Sequence, residues 1–119
     1  MPANQLEVQV FGVRKDADTR KALRFFSERR IKTHFVDLTV RAASYGELRR
    51  FAQKFSAEHL VDKRALRFQE LGLQHAILSE ERWIQKLADE PSLLIIPLVR
   101  NGRLLTVGAA EEIWKDWLR

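Results

Sequence analysis

An α/β fold of three layers, with a four-stranded mixed sheet and a helical insert, is what this sequence of 119 residues predicts. Three observations carry it. Residues 6–38 read as strand, helix and strand, a βαβ unit whose strands run parallel. Two apolar runs near the C-terminus flank Asn101-Gly102, a strong hairpin signal. Between these blocks, apolar residues recur at helical spacing with no Pro-, Gly- or Ser-rich linker to divide the chain. One domain over residues 1–119 is the expectation for this length.

The first strand is expected at 6–13, with Val8 and Val10 on one face and Gln9, Phe11 and Val13 on the other. A polar loop follows, and a helix over 17–30 carries the stripe Ala22, Leu23, Phe25 and Phe26, capped by Asp16 or Asp18. Alternation over 31–38 predicts the second strand. Leu48, Phe51, Ala52 and Phe55 at i, i+3, i+4 and i+7 predict a helix over 47–55, opened by Ser44 or Tyr45. A further helical stretch is expected over 63–71, ended by Gly72 as a C′ glycine. Ser79 starts the next helix, which buries Trp83, Ile84, Leu87 and Ala88 and is stopped by Pro91. An apolar strand over 93–99, interrupted by Pro97, is compatible with a sheet if the Ile96–Pro97 bond is cis and ends the pairing. The hairpin returns over 104–107, Gly108 ends it, and a helix over 110–118 turns Ile113, Trp114 and Trp117 inward.

The composition narrows the chemistry. There is no cysteine, hence no disulfide, no thiolate nucleophile and no thiolate metal site. The N-terminal Met1-Pro2-Ala3-Asn4-Gln5 carries no leader pattern, and the longest apolar run is far shorter than the roughly 20 residues of a membrane span. A cytoplasmic protein without membrane contact is expected. The formal charge of +5 is uneven: residues 14–67 hold 15 basic and 7 acidic side chains, residues 68–119 hold 6 and 8. A basic first half suits an acidic protein surface, nucleic acid or an anionic small molecule, or is simply a set of solvated helix faces.

No motif assembles a conventional active site. His34, His59 and His75 lack metal-ligand spacing, and Asp16 with Asp18 lacks further ligands to complete a shell. Ser27, Ser44, Ser56 and Ser79 lack a nucleophile-elbow setting, and no phosphate-binding glycine loop is present. Trp83, Trp114 and Trp117 sit at core spacing. No cofactor and no metal are expected.

Three segments, in order, resemble one family. Thr19-Arg20-Lys21-Ala22 closes a strand–loop–helix. Residues 60–71, Leu-Val-Asp-Lys-Arg-Ala-Leu-Arg-Phe-Gln-Glu-Leu, form a central segment. Ile96-Pro97, Asn101-Gly102-Arg103 and Val107-Gly108 frame the hairpin. Together they are similar to the thioredoxin-fold family of glutaredoxin-linked arsenate reductases (ArsC), Spx regulators and YffB-like proteins, over nearly the whole chain. The resemblance implies a thioredoxin-like fold and places the family's active-site positions here. Its nucleophilic cysteine falls on Asp16 and its second cysteine or serine on Thr19. The arginine before the cis-proline, Pro97, falls on Ile96, and a further arginine falls on Val107. Arg64 keeps a basic position.

The nucleophile and two anion-binding arginines are thus replaced, so no catalytic residue is assigned. A carboxylate cannot carry the mixed disulfide of thiol reduction. The expected function is a cysteine-free, non-catalytic binding or regulatory module. The likeness to Spx implies a protein partner, RNA polymerase among the candidates, on a basic surface of Arg41, Arg49, Arg50, Lys54, Lys63 and Arg67. The alternatives are a reductase-like or glutathione-dependent enzyme that uses no thiol of its own, and a nucleic-acid binder on the basic face, ranked last because no nucleic-acid motif is present.

Overall fold

A computed structural model describes residues 6–119 of the protein. The leader reading of Met1–Gln5 lies outside the described residues. The chain forms two compact units, one of Met1–Arg41 with Ile96–Arg119 and one of Ala42–Ile95.

The first unit holds β1 (Glu7–Gly12), α1 (Ala17–Glu28), β2 (Lys32–Asp37), β3 (Leu98–Asn101), β4 (Leu104–Val107) and α5 (Glu111–Trp117). The sheet order is β2-β1-β3-β4. As the βαβ reading requires, β1 and β2 run parallel, from Glu7 opposite Lys32 to Gly12 opposite Asp37. β3 runs antiparallel to β1 and β4 antiparallel to β3, so the sheet is mixed. One face supplies Val8, Val10 and Val99 to a core completed by Ala22, Phe25 and Phe26 of α1, Ile31, and Trp114 of α5. The rings of Phe25 and Phe26 meet edge to face with centroids 5.1 Å apart, and each lies within 5.5 Å of the Trp114 ring. Trp114 is fully buried, and its indole N–H donates to the Thr106 hydroxyl at 2.8 Å, so the one polar atom of this aromatic cluster is satisfied.

The second unit holds α2 (Tyr45–Phe55), α3 (Leu66–Glu70) and α4 (Glu80–Asp89), joined through single 3₁₀ turns at Glu58–Leu60 and Leu73–His75, with a third turn at Pro91–Leu93 after α4. α2 opens with a capping box: the Ser44 hydroxyl accepts from the Glu47 N–H, and the Glu47 carboxylate accepts from the Ser44 N–H. α2 buries Leu48, Phe51 and Ala52, and it packs against α4, which buries Trp83, Ile84 and Leu87. Glu80 ties the segments together by accepting from the Ala57 N–H at 2.8 Å. Arg67 makes a two-pronged pair with Glu90, at 3.0 and 2.9 Å.

Four expectations need correction. The helix expected over 63–71 is only α3, Leu66–Glu70. Asp62 holds 62–65 as a turn, its side chain accepting from the Arg64 N–H and its carbonyl from the Ala65 N–H, which is the local competition that Asp offers a helix. The strand expected over 93–99 begins only at Leu98. Leu93 belongs to a 3₁₀ turn and Leu94 makes an isolated bridge to Val61. Pro97 has no N–H to give a ladder, and the Ile96–Pro97 bond is cis. The hairpin loop is Gly102-Arg103 rather than Asn101-Gly102, because Asn101 still pairs with Leu104. Gly102 takes φ +60°, as the first residue of a glycine-led two-residue turn must. Ile113 faces out, 49% exposed, while Trp114 next to it is buried.

Candidate functional site

The junction of β1 and α1 is built by three residues. β1 ends at Gly12, a turn follows in which the Asp16 N–H donates to the Val13 carbonyl at 3.1 Å, and α1 begins at Ala17. Asp16 is the N-cap, with extended backbone (φ −80°, ψ 127°). One carboxylate oxygen, Oδ2, accepts from the Thr19 N–H and from the Thr19 hydroxyl, both at 2.8 Å. Thr19 is fully buried. A Cβ added at Gly12 would collide with Thr19 Oγ1 and Cγ2, so the closeness of strand and helix here demands glycine.

Chemically this is a closed device. The first N–H groups of a helix favour an anion, through their open donors and the dipole. Here the chain's own carboxylate takes that place and the neighbouring hydroxyl turns toward it. No buried side-chain polar atom among the described residues is left without a partner. No group of three or more His, Asp or Glu able to hold a metal occurs among them either. Asp18 stands in the first helical turn and is half-buried, with no side-chain partner shared with Asp16.

The other positions named from sequence fall as follows. Ile96 is half-buried and Pro97 buried, and the Pro97 carbonyl accepts from the Gly108 N–H at 2.8 Å. Val107 is half-buried at the end of β4, opposite Leu98. These stand with Asp16 and Thr19 in the sheet unit, whereas Arg64 lies exposed in the 62–65 turn of the helical unit.

Of the basic residues, Arg49, Arg50 and Lys54 are exposed on α2. Lys63 pairs with Glu58 at 2.7 Å, and Arg67 pairs with Glu90 and, more loosely, Glu70. Those two cations are therefore partly neutralised within the chain. Arg41 belongs to the sheet unit.

Two clusters escape a reading of the sequence. His34 Nε2 lies 3.1 Å from Glu7 Oε2, and Lys32 lies 3.7 Å from the same carboxylate. The hydrogen bond from His34, then the Lys32 charge, hold the Glu7 carboxyl below its ordinary range. Asp37 is likewise lowered, first by the Thr39 hydroxyl and then by the Thr39 N–H. The first cluster depends on strand register, which Lys32 and Glu7 alone do not announce; the second is an Asx turn whose Asp-x-Thr spacing could have signalled it.

Similar proteins place this geometry. No curated protein matches the chain. Among solved structures, the YFFB protein superposes with a TM-score of 0.85 at 20% identity, covering 94% of this chain and 99% of that one. An arsenate reductase from Vibrio cholerae gives 0.83 at 19% identity, with 94% and 98% covered. An arsenate reductase (ArsC) related protein from Brucella melitensis gives 0.67 at 17% identity, with 95% of each covered. At these identities the likeness establishes the fold, which is thioredoxin-like. The sequence profile of the ArsC family matches residues 11–117, a span that takes in the Asp16 junction, the cis-proline and the hairpin. The chain therefore belongs to the ArsC family, with Asp16 capping the helix and no cysteine anywhere in its sequence.

Proposed function

We propose that this ArsC-family protein is a non-catalytic binding module of the cytoplasm that recognises a protein partner. The observation that carries the reading is the Asp16 cap: the helix-start donors of Thr19 are both spent on an internal carboxylate. Thiol reduction requires a thiolate that attacks and then carries a mixed disulfide, and the chain offers none. Of the basic set expected from sequence, Arg49, Arg50 and Lys54 are exposed on α2, and this helical surface is the one assigned to the partner. The likeness to Spx regulators makes RNA polymerase one candidate partner, an analogy at the level of fold.

The catalytic half of this reading is tested by assaying purified protein for arsenate and disulfide reduction with glutathione and glutaredoxin. No turnover above the buffer background is expected, and sustained turnover refutes the reading. The binding half is tested by capture of RNA polymerase on immobilised protein. Retention that disappears in an Arg49→Gln, Arg50→Gln, Lys54→Gln variant supports the α2 surface.

A further inference from the structure

The cations of the chain differ in how their charge is compensated. Lys32, Lys63, Arg67, Lys115 and Arg119 each have a carboxylate oxygen within 4.0 Å. The seven cations in and around α1 are Arg14, Lys15, Arg20, Lys21, Arg24, Arg29 and Arg30, and none of them forms an ion pair with any described residue. All seven are exposed. Their head groups meet carbonyls and rings: Arg20 donates to the Arg14 carbonyl at 2.9 Å, Arg29 to the Phe25 carbonyl at 3.0 Å, and the Arg14 and Arg29 guanidiniums sit over Phe35 and Phe25, while the Arg14 charge also acts on the Asp37 carboxylate from beyond ion-pair distance. Asp16, the acid closest in sequence to Lys15, is committed to its cap.

Helical geometry gathers this charge. At about 100° per residue, Arg20, Lys21 and Arg24 fall within one arc of roughly 100°, which also takes in the exposed Glu28, opposite the buried Thr19, Ala22 and Phe26. Arg14 and Lys15 precede the helix and Arg29 and Arg30 follow it. Twelve residues extend about 18 Å, the span of about five phosphates of one strand of duplex DNA.

We propose that the outer face of α1 binds the phosphate backbone of duplex nucleic acid without reading its bases. The chemistry of the face selects this occupant. None of the exposed large apolar side chains, Val40, Leu66, Ile77, Leu104 and Ile113, belongs to α1, so charge is what this face offers a partner. A membrane-surface helix needs an apolar face free to enter lipid, whereas Ala22, Phe25 and Phe26 are spent on the core. With seven cations against Glu28 and the half-buried Asp18, the net charge of this face stays strongly positive and satisfies phosphates, whose contribution is electrostatic and independent of sequence. A pI near 10.0 with the cations gathered along one helix agrees with it. The residues of this surface are not those of α2 assigned above to a protein partner, so either assignment can fail alone.

The test uses the full chain and a fluorescent 20-base-pair duplex of arbitrary sequence, titrated by anisotropy from low salt upward. Affinity is expected to fall linearly with salt on logarithmic axes and to be the same for a second, unrelated duplex. In an Arg20→Gln, Lys21→Gln, Arg24→Gln variant, the slope should shrink by about 2 to 3, at roughly 0.9 for each phosphate no longer neutralised. The Arg49→Gln, Arg50→Gln, Lys54→Gln variant, with the same change in net charge, should keep the parent slope. The proposal is overturned by an absence of binding at low salt, by salt-independent binding, by equal weakening in the two variants, or by a poly-glutamate peptide displacing the duplex at lower charge concentration than unlabelled DNA does.

Discussion

Asp16, Thr19 and Gly12 form the smallest unit whose chemistry can be argued through. Two hydrogen bonds converge on Asp16 Oδ2, one of them from a fully buried hydroxyl. Removing the cap by Asp16→Ala should lower stability by about 1–3 kcal/mol, since an N-cap alone is worth about 0.5–2 and the Thr19 hydroxyl loses its acceptor. Urea unfolding with an unchanged m-value would check it. Gly12→Ala should cost more than about 2 kcal/mol, because its new methyl meets Thr19 at a distance no relaxed contact allows. Adding Thr19→Ala removes the two nearest atoms, so the double variant should be more stable than the sum of the singles predicts, a coupling readable in a double-mutant cycle. Asp16→Cys places sulfur before the same two donors at a helix start. Its thiol should ionise well below the ordinary value of about 8.5, which the pH dependence of alkylation would show; a thiol of ordinary pKa would mean that the junction does not favour an anion.

At the scale of elements, α1 and α5 show how much a helix depends on which side chain turns inward. Trp114 touches Phe25 and Phe26 and donates to Thr106, whereas Ile113 stands half in solvent. Trp114→Ala should therefore cost about 3–5 kcal/mol and Ile113→Ala no more than about 0.5 kcal/mol, a contrast that thermal unfolding of the two variants measures. Periodicity locates α5 but gives its inward face too many members, because α5 has only seven residues and a short helix leaves the phase of its stripe loosely specified. α1, with twelve residues and four apolar positions at consistent spacing, is legible in its start and its inward face, though it ends at Glu28 rather than at 30. α3 is not, since Asp62 and the extended Ala65 take residues that composition alone would assign to the helix. The Ser44 cap of α2 and the Ser79 cap of α4 follow from residue type at the right offset and need no tertiary information.

For the molecule as a whole, acid should be the destabilising direction. Glu7, Asp37 and Glu90 all have carboxyls held below their ordinary range, Glu90 first by its hydrogen bonds with Arg67. A folded pKa below the unfolded one gives stability that is fully present above the unfolded value and lost as the pH falls through the folded value. Unfolding midpoints should thus hold near neutrality and drop below about pH 4, with a shallower drop in Glu90→Gln and Asp37→Asn; identical acid limbs in parent and variants would refute the assignment. The sequence by itself determined the βαβ start, the hairpin, the mixed sheet of four strands and the loss of thiol chemistry, because periodicity, turn residues and the absence of cysteine are local or compositional facts. Tertiary structure alone decided three other things. It showed that Gly12 must be glycine because Thr19 lies against it, that Lys63 and Arg67 are neutralised while the cations of α1 are not, and that Glu7 meets Lys32 and His34 across two parallel strands. Each of these joins residues through register or packing, and neither the spacing of one helix nor the alternation of one strand specifies which distant residue will stand opposite.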